Sequence, residues 1–138
     1  MPSIWLIGAC PSKPSGLPLH PEGGRTSTAD RLRVMLSMSV EEYAQSFRRA
    51  NILDSPPWDA HRARVHGQRL RRAVRGRALV LGRDAWTALG LPDWSQWFET
   101  HECFTLIPHP SGRNLFYNDR ENRETLRRVV GCALRRSG

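Results

Sequence analysis

The stretch RALVLGRDAWTALGL, residues 77–91, contains the clearest strand-to-helix transition in the chain. Four apolar residues, 78–81, are followed at once by Gly82, and the segment after Asp84 has the pattern of a short helix that Gly90 ends. An apolar run without polar alternation is typical of a strand buried on both faces, as in a parallel sheet covered by helices. The stretch therefore predicts a central strand of an α/β protein.

Three further segments have the composition of short strands: SIWLIG (3–8), ANIL (50–53) and ECFTLIPHP (102–110). Helices are predicted between and after them, beginning near Ser27 or Thr28, at the acidic turn after Ser39, at Asp59 and at the cap Asp119. This alternation predicts one domain, residues 1–138, with a three-layer α/β/α architecture and a short, mainly parallel four-stranded sheet.

Composition excludes several classes of protein. Hydrophobic residues make up 39% and charged residues 25% of the 138 residues, and no apolar run approaches the roughly 18 residues that a membrane span needs. The N-terminus lacks a basic leader, which predicts a cytoplasmic protein without membrane contact. The three cysteines form no metal-binding or disulfide pattern, so neither a metal nor a cofactor is predicted.

The chain is strongly basic, with 21 Lys and Arg residues against 13 Asp and Glu residues and a net charge of +8. Such an excess favours polyanionic partners, and nucleic acid is the leading candidate. The predicted helix of residues 59–75 has no acid after its first residue and is expected to bury Val65, Leu70 and Val74. Its arginines, including Arg69, Arg71 and Arg72, are expected either to contact phosphates or to form a solvated face.

The stretch TLIPHPSGRNLFYND, residues 105–119, is an unusual way for a strand to end. A connection to the next helix needs only a turn residue and a cap, and Asp119 is that cap. The chain instead places His109 between two prolines and follows it with Ser111, Arg113 and Asn114. These stiff and polar residues indicate a functional loop.

The order of short motifs resembles that of the uracil-DNA glycosylase superfamily. In that family a first strand runs into a G-x-x-P-G or G-x-D-P-Y loop, a middle strand supplies an Asn, and the last strand ends in H-P-S. The corresponding segments here cover nearly the whole chain: LIGACPS (6–12), GGRTSTADRL (23–32), Asn51 in ANIL, LVLGRDAW (79–86) and HPSG (109–112).

The resemblance implies a role for each matching residue. Cleavage of a base-sugar bond leaves negative charge on the base, and His109 is expected to donate a hydrogen bond to it. Asn51 and Ala9 are expected at the base, and Trp58 is a candidate stacking platform because it lies in a loop after a predicted strand. The expected phosphate contacts are Ser12, Lys13, Ser111, Gly112, Arg113 and Asn114.

The first motif departs from the family pattern. Hydrolytic members commonly carry Asp, Asn or Glu where this chain has Ala9 and Cys10, so the residue that activates water is missing. Cys10 is the catalytic candidate at that position, although a packed thiol is the alternative interpretation. An acid recruited from elsewhere is also conceivable, and Asp30, Asp54 and Asp59 are the candidates.

The sequence therefore predicts a monomeric DNA-repair hydrolase that needs no cofactor. It is expected to flip uracil or a modified pyrimidine out of single- or double-stranded DNA and to cleave the N-glycosidic bond. Two alternatives use the same pocket: a DNA-binding protein that senses a base without hydrolysis, and an enzyme that modifies the base. A third is an enzyme that binds nucleotides or nucleoside phosphates on a similar sheet.

Overall fold

A computed structural model describes residues 4–11, 17–111 and 114–137, with side chains as far as residue 135. Within these ranges, five strands form one mixed, mostly parallel sheet. The strands are β1 (Ile4–Gly8), β2 (Phe47–Asn51), β3 (Ala78–Leu81), β4 (Thr100–His101) and β5 (Phe104–Ile107). Their order across the sheet is β2-β1-β3-β5-β4, and β4 alone runs antiparallel to its neighbour.

The sheet thus has five strands where four were predicted. The additional strand, β4, has only two residues and forms a tight hairpin with β5, with Thr100 opposite Thr105. A strand this short has no detectable alternation of polar and apolar residues, so sequence periodicity does not reveal it.

Five α-helices connect and follow the strands: α1 (Thr28–Met35), α2 (Val40–Ser46), α3 (Ala60–Ala73), α4 (Arg83–Ala88) and α5 (Arg120–Ser137), with a 3₁₀ turn at Leu115–Asn118. Predicted caps are confirmed at two helices. Ser39 forms a capping box with Glu42 at the start of α2, and the carboxylate of Asp119 accepts a hydrogen bond from the Glu121 N–H.

Strand β2 begins earlier than the predicted ANIL strand. Helix α2 ends at Ser46, and Phe47 continues directly into the strand, which ends at Asn51. The prediction was wrong about residues 47–49 because Arg48 and Arg49 hide the strand pattern. This is an edge strand, and Arg48 lies over the ring of Trp5 on β1 at 5.4 Å, so its charge is tolerated there.

The two faces of the sheet are covered by separate sets of helices. Alternate strand residues such as Ile7, Val80 and Leu106 pack with α3 and α4, whereas Leu6, Leu79 and Ile107 pack with α1, α2 and α5. Because both faces are buried, β3 is apolar at every position. This explains why residues 78–81 have no polar alternation.

Helix α3 corrects one predicted core position. Val65 is 44% exposed, whereas Ala63 and Gly67 form the buried stripe. A Cβ on Gly67 would lie 2.1 Å from the carbonyl oxygen of Ala88, so α3 and α4 pack almost backbone to backbone. The small residues therefore determine which face of α3 packs against its neighbours, and Val65 lies on the exposed face.

Because β1, β2, β3 and β5 are parallel, their carboxyl ends meet at one edge of the sheet. The loops that follow these strands therefore converge there, which is where α/β sheets bind their ligands.

Candidate functional site

A cleft of about 720 Å³ lies at the carboxyl ends of the strands. We call it the edge cleft. It brings together four residues that the sequence predicts as functional: Ala9, Cys10, Asn51 and His109. The segment before α1 closes the other side of the cleft and contributes Leu17, Leu19, His20, Glu22 and residues 26–29.

Asn51 is the last residue of β2 and is fixed by strand pairing. It lies opposite Gly8, and the pairing continues beyond the strands because the Ile52 N–H donates to the Gly8 carbonyl at 3.0 Å. A Cβ on Gly8 would lie 2.6 Å from the Asn51 Oδ1 atom, so glycine makes room for the amide. This amide forms no hydrogen bond with the described residues, and Asn51 lines the edge cleft.

The loop that carries His109 is clamped from its far side. The buried Tyr117 hydroxyl donates to the Pro108 carbonyl at 2.7 Å, and the Asn114 Nδ2 donates to the His109 carbonyl at 2.9 Å. Asn114 also accepts from the Phe116 N–H through its Oδ1. Both polar groups of Asn114 are therefore used inside the loop, so these bonds support a positioning role rather than the predicted phosphate contact.

His109 is held as a neutral side chain. Burial lowers the pKa of its imidazole, and the negative charge of Asp84 only partly offsets this effect. The ring forms no hydrogen bond within the part of the chain that the structure describes, and it lines the edge cleft. The loop thus presents a neutral N–H donor without an internal partner.

Cys10 lines the same cleft, but its thiol is not activated. Burial, followed by the charge of Asp84, raises the pKa of Cys10. A protonated thiol is a weak nucleophile. The side chain also packs against the core beneath α3 and α4, so the structure favours the packing interpretation of Cys10.

The three acids proposed from the sequence have other surroundings. Asp30 is fully buried; although burial raises its pKa, hydrogen bonds from Ser27, from Arg33 and from loop N–H groups lower it overall. Asp59 caps α3 by accepting from the His61 N–H at 3.0 Å. Asp54 lines a separate depression beside α3.

Two further acids, which were not predicted, are associated with the cleft residues. Glu22 lines the edge cleft, and Asp84 influences the pKa of both Cys10 and His109. Asp84 lies two residues after Gly82, which follows β3. An acid so close to a strand end is the sequence signal that was missed. Glu22 gave no such signal because it lies in a long loop.

Trp58, the candidate stacking platform, is not among the described residues that line the edge cleft. It packs against the core on the side of α3 and α4, and Pro56 lines the edge cleft in its place. A different tryptophan, Trp97, lines a neighbouring depression of about 370 Å³ together with Asp84 and His109. Trp97 thus shares a depression with His109, whereas Trp58 does not.

The predicted phosphate contacts are only partly described. Ser12, Lys13, Gly112 and Arg113 lie outside the described residues. Ser111 lines a smaller cavity of about 220 Å³ next to the edge cleft, together with several arginines. Of the predicted phosphate contacts, Ser111 and Asn114 thus line a cavity that contains a group of cations, although both polar groups of Asn114 are already hydrogen-bonded within its own loop.

Within residues 4–11, 17–111 and 114–137, no three potential metal ligands form a cluster, and no described helix is both long and apolar enough to cross a bilayer. The geometry of the edge cleft is therefore the basis of the functional argument. No known protein-family model matches the chain, and no curated protein has a significantly similar sequence.

Proposed function

We propose that the protein is a DNA N-glycosylase that receives an extruded base, uracil or a modified pyrimidine, in the edge cleft and cleaves its bond to the sugar. One observation carries this proposal. Asn51 ends β2 and His109 follows the end of β5 by two residues; both line one cleft, and neither side chain forms a hydrogen bond with the described residues. Both side chains are half-buried at the cleft, so their hydrogen-bonding groups are open to a ligand that enters it.

The cleft suits a nucleotide in size and chemistry. Its volume of about 720 Å³ falls within the roughly 300–1,000 Å³ typical of small-molecule sites. The Asn51 amide offers one acceptor and two donors, which matches the mixed polar edge of a pyrimidine that has left the stack. Asn51 is therefore assigned to reading the base.

His109 is assigned to stabilising the negative charge that develops on the departing base. As the glycosidic bond breaks, negative charge grows on the base, and a fixed N–H donor stabilises it more than the uncharged ground state. The low pKa of His109 keeps the donor neutral near pH 7. The clamp by Asn114 and Tyr117 reduces the reorganisation that donation requires.

Glu22 is assigned to stabilising the positive charge that develops on the sugar. The sugar becomes cationic as the base leaves, and Glu22 is a carboxylate that lines the edge cleft itself. It replaces the acid or amide that the first motif lacks at Ala9 and Cys10. Asp84 acts on the other side of His109, where its charge raises the histidine pKa against the effect of burial.

A second candidate function is base sensing without hydrolysis. It is favoured by the protonated thiol of Cys10, since the first motif then has no group that activates water. This binder would use Asn51 and His109 as assigned above but would release no base. The two functions are separated by product formation alone.

The proposal also includes three further properties: a sheet with the layout of the uracil-DNA glycosylases, a monomeric state and a role in cytoplasmic DNA repair. The first is supported by the order of the motifs along the four parallel strands. The DNA partner is supported by the net charge of +8.

The test is a panel of oligonucleotides that each carry one uracil or one modified pyrimidine, in single- and double-stranded form, assayed for abasic sites. We expect cleavage of at least one member, with loss of base discrimination in Asn51→Ala. Gln45→Ala, which removes an exposed amide on α2, is the matched control. Tight binding to one lesion without abasic product would support the sensor, and neither binding nor product would refute both functions.

A further inference from the structure

The smaller cavity beside the edge cleft is lined by three arginines, Arg25, Arg31 and Arg123, together with Ser111. We call it the arginine pocket. Its lining residues are neighbours in the chain of residues that line the edge cleft, because Arg25 precedes Thr26 and Ser111 follows His109 by two residues, and Thr26 and His109 both line the cleft. A ligand in the cleft could thus continue into the arginine pocket.

Two of these arginines are anchored by backbone carbonyl groups. The Arg31 Nε donates to the Thr26 carbonyl at 3.1 Å, and the Arg123 Nη1 donates to the Tyr117 carbonyl at 2.7 Å. Each anchored guanidinium keeps further N–H donors. Arg25 is exposed and forms no hydrogen bond or ion pair with the described residues.

No carboxylate of the described residues forms an ion pair with these three arginines. Among the residues that the structure describes, the ion pairs of Arg side chains are those of Arg33, Arg71 and Arg120, and no acid lines the arginine pocket. Three like charges in a half-buried cavity repel one another, and an anion in the cavity would remove that cost. The planar fork of arginine suits phosphate oxygens, and Ser111 adds a hydroxyl donor.

We propose that the arginine pocket binds one phosphodiester group of the DNA strand, next to the nucleotide whose base enters the edge cleft. Its volume of about 220 Å³ suits a single phosphate rather than a nucleoside. The placement on a DNA strand rests on the proposed function, whereas phosphate binding does not depend on cleavage. The pocket thus sets where the strand passes the cleft.

The main test uses single-stranded DNA without a lesion, so that cleavage plays no part. The dissociation constant is measured against salt for the wild type, for Arg25→Ala and for Arg135→Ala, which removes an equal charge from the far end of α5. We expect Arg25→Ala to weaken binding about tenfold, as for one charge-assisted hydrogen bond, and to reduce the salt slope by about 0.7, as for one phosphate on a single strand. Arg135→Ala should change neither quantity.

A second variant and a second probe complete the design. Arg123→Gln, with folding checked by circular dichroism, should reproduce the loss. Inorganic phosphate should shift the Nε–H signals of Arg31 and Arg123 in NMR spectra of the wild type. An unchanged salt slope in Arg25→Ala would overturn the proposal, and so would an effect confined to oligonucleotides with a terminal 5′-phosphate.

The outcomes separate this proposal from the proposed function. If no lesion is cleaved but Arg25→Ala lowers the salt slope, the glycosylase assignment fails and the arginine pocket stands. If a lesion is cleaved but the slope is unchanged, the phosphate site fails and the glycosylase assignment stands.

Discussion

The described residues of one loop, 108–111 and 114–117, and helix α3 both carry polar side chains, but they are held in opposite ways. In the loop, Tyr117 and Asn114 donate to the backbone carbonyl groups of Pro108 and His109, and Tyr117 is buried. On α3, arginines such as Arg62, Arg69 and Arg72 are exposed and form no side-chain hydrogen bonds with described residues. The loop fixes one donor in place, whereas the helix offers a broad positive surface.

This difference predicts different effects of substitution. A clamped donor contributes to a transition state, in which charge develops at one atom. A field of mobile charges contributes to affinity and to its salt dependence, regardless of sequence. Substitutions in the loop should therefore change rates, and substitutions on α3 should change binding.

The largest effect is expected from His109→Ala. Loss of one donor to a developing charge typically slows cleavage by about 10²- to 10³-fold, while DNA affinity should barely change. Single-turnover cleavage of the lesion that the panel identifies measures the rate. The control is His61→Ala, an exposed histidine in the first turn of α3; equal rates in both variants would make the loop a structural turn.

Reversal of Arg62, Arg69 and Arg72 to Glu should weaken DNA binding by roughly 10- to 100-fold, at about 0.5–1 kcal/mol for each exposed charge. The salt slope should fall by up to about 0.9 for each phosphate released from duplex DNA. Arg71, which the sequence grouped with these residues, is left out because it donates to Glu102 at 2.9 Å and to the Leu89 and Gly90 carbonyls.

The control for this reversal changes the net charge equally elsewhere, at Arg48, Arg128 and Arg135. Filter binding across a salt series distinguishes the two surfaces. If both reversals weaken binding by the same factor, the helix has no special role and only the net charge matters.

Tyr117→Phe should destabilise the fold by roughly 1–3 kcal/mol, because it leaves the buried Pro108 carbonyl without a partner. Tyr43→Phe is a matched control, since the Tyr43 hydroxyl donates to the Leu19 carbonyl at 2.9 Å. Urea denaturation should show similar losses in both variants. Only Tyr117→Phe should also slow cleavage, by about tenfold or less; no slowing would mean that the clamp does not position His109.

The smallest effect concerns pH. The pKa of His109 is lowered from 6.5 in the folded protein, so the unfolded state binds the proton more readily, and stability must fall as pH drops below about 6.5. His109→Gln removes this contribution. The free energy of unfolding of the wild type minus that of the variant, measured by urea denaturation, should therefore fall from pH 8 to pH 5.5. A rise in this difference would contradict a buried neutral imidazole.

Much of the fold followed from local patterns. The apolar run of residues 78–81, the capping residues Ser39 and Asp119 and the glycine after β3 act over a few positions, and they were predicted. The meeting of Asn51 and His109 also followed, because the ends of parallel strands share one edge.

What the sequence did not show depends on contacts between distant segments. The exposure of Val65 follows from the close approach of Gly67 to Ala88, and the proximity of Asp84 to His109 follows from the pairing of β3 with β5. The arginine pocket joins residues about one hundred positions apart in the chain. No periodicity or spacing along the chain records such contacts.

The most direct test of whether a base enters the edge cleft and meets His109 is an NMR titration of ¹⁵N-labelled histidine side chains with DNA. The DNA carries a non-cleavable 2′-fluoro analogue of the nucleotide that the panel identifies. We expect the His109 ring N–H signal to shift on binding as it donates to the base, and we expect Asn51→Ala to reduce this shift. If the α3 signals of His61 and His66 shift while that of His109 does not, DNA binds the helix without placing a base in the edge cleft, and the central claim is contradicted.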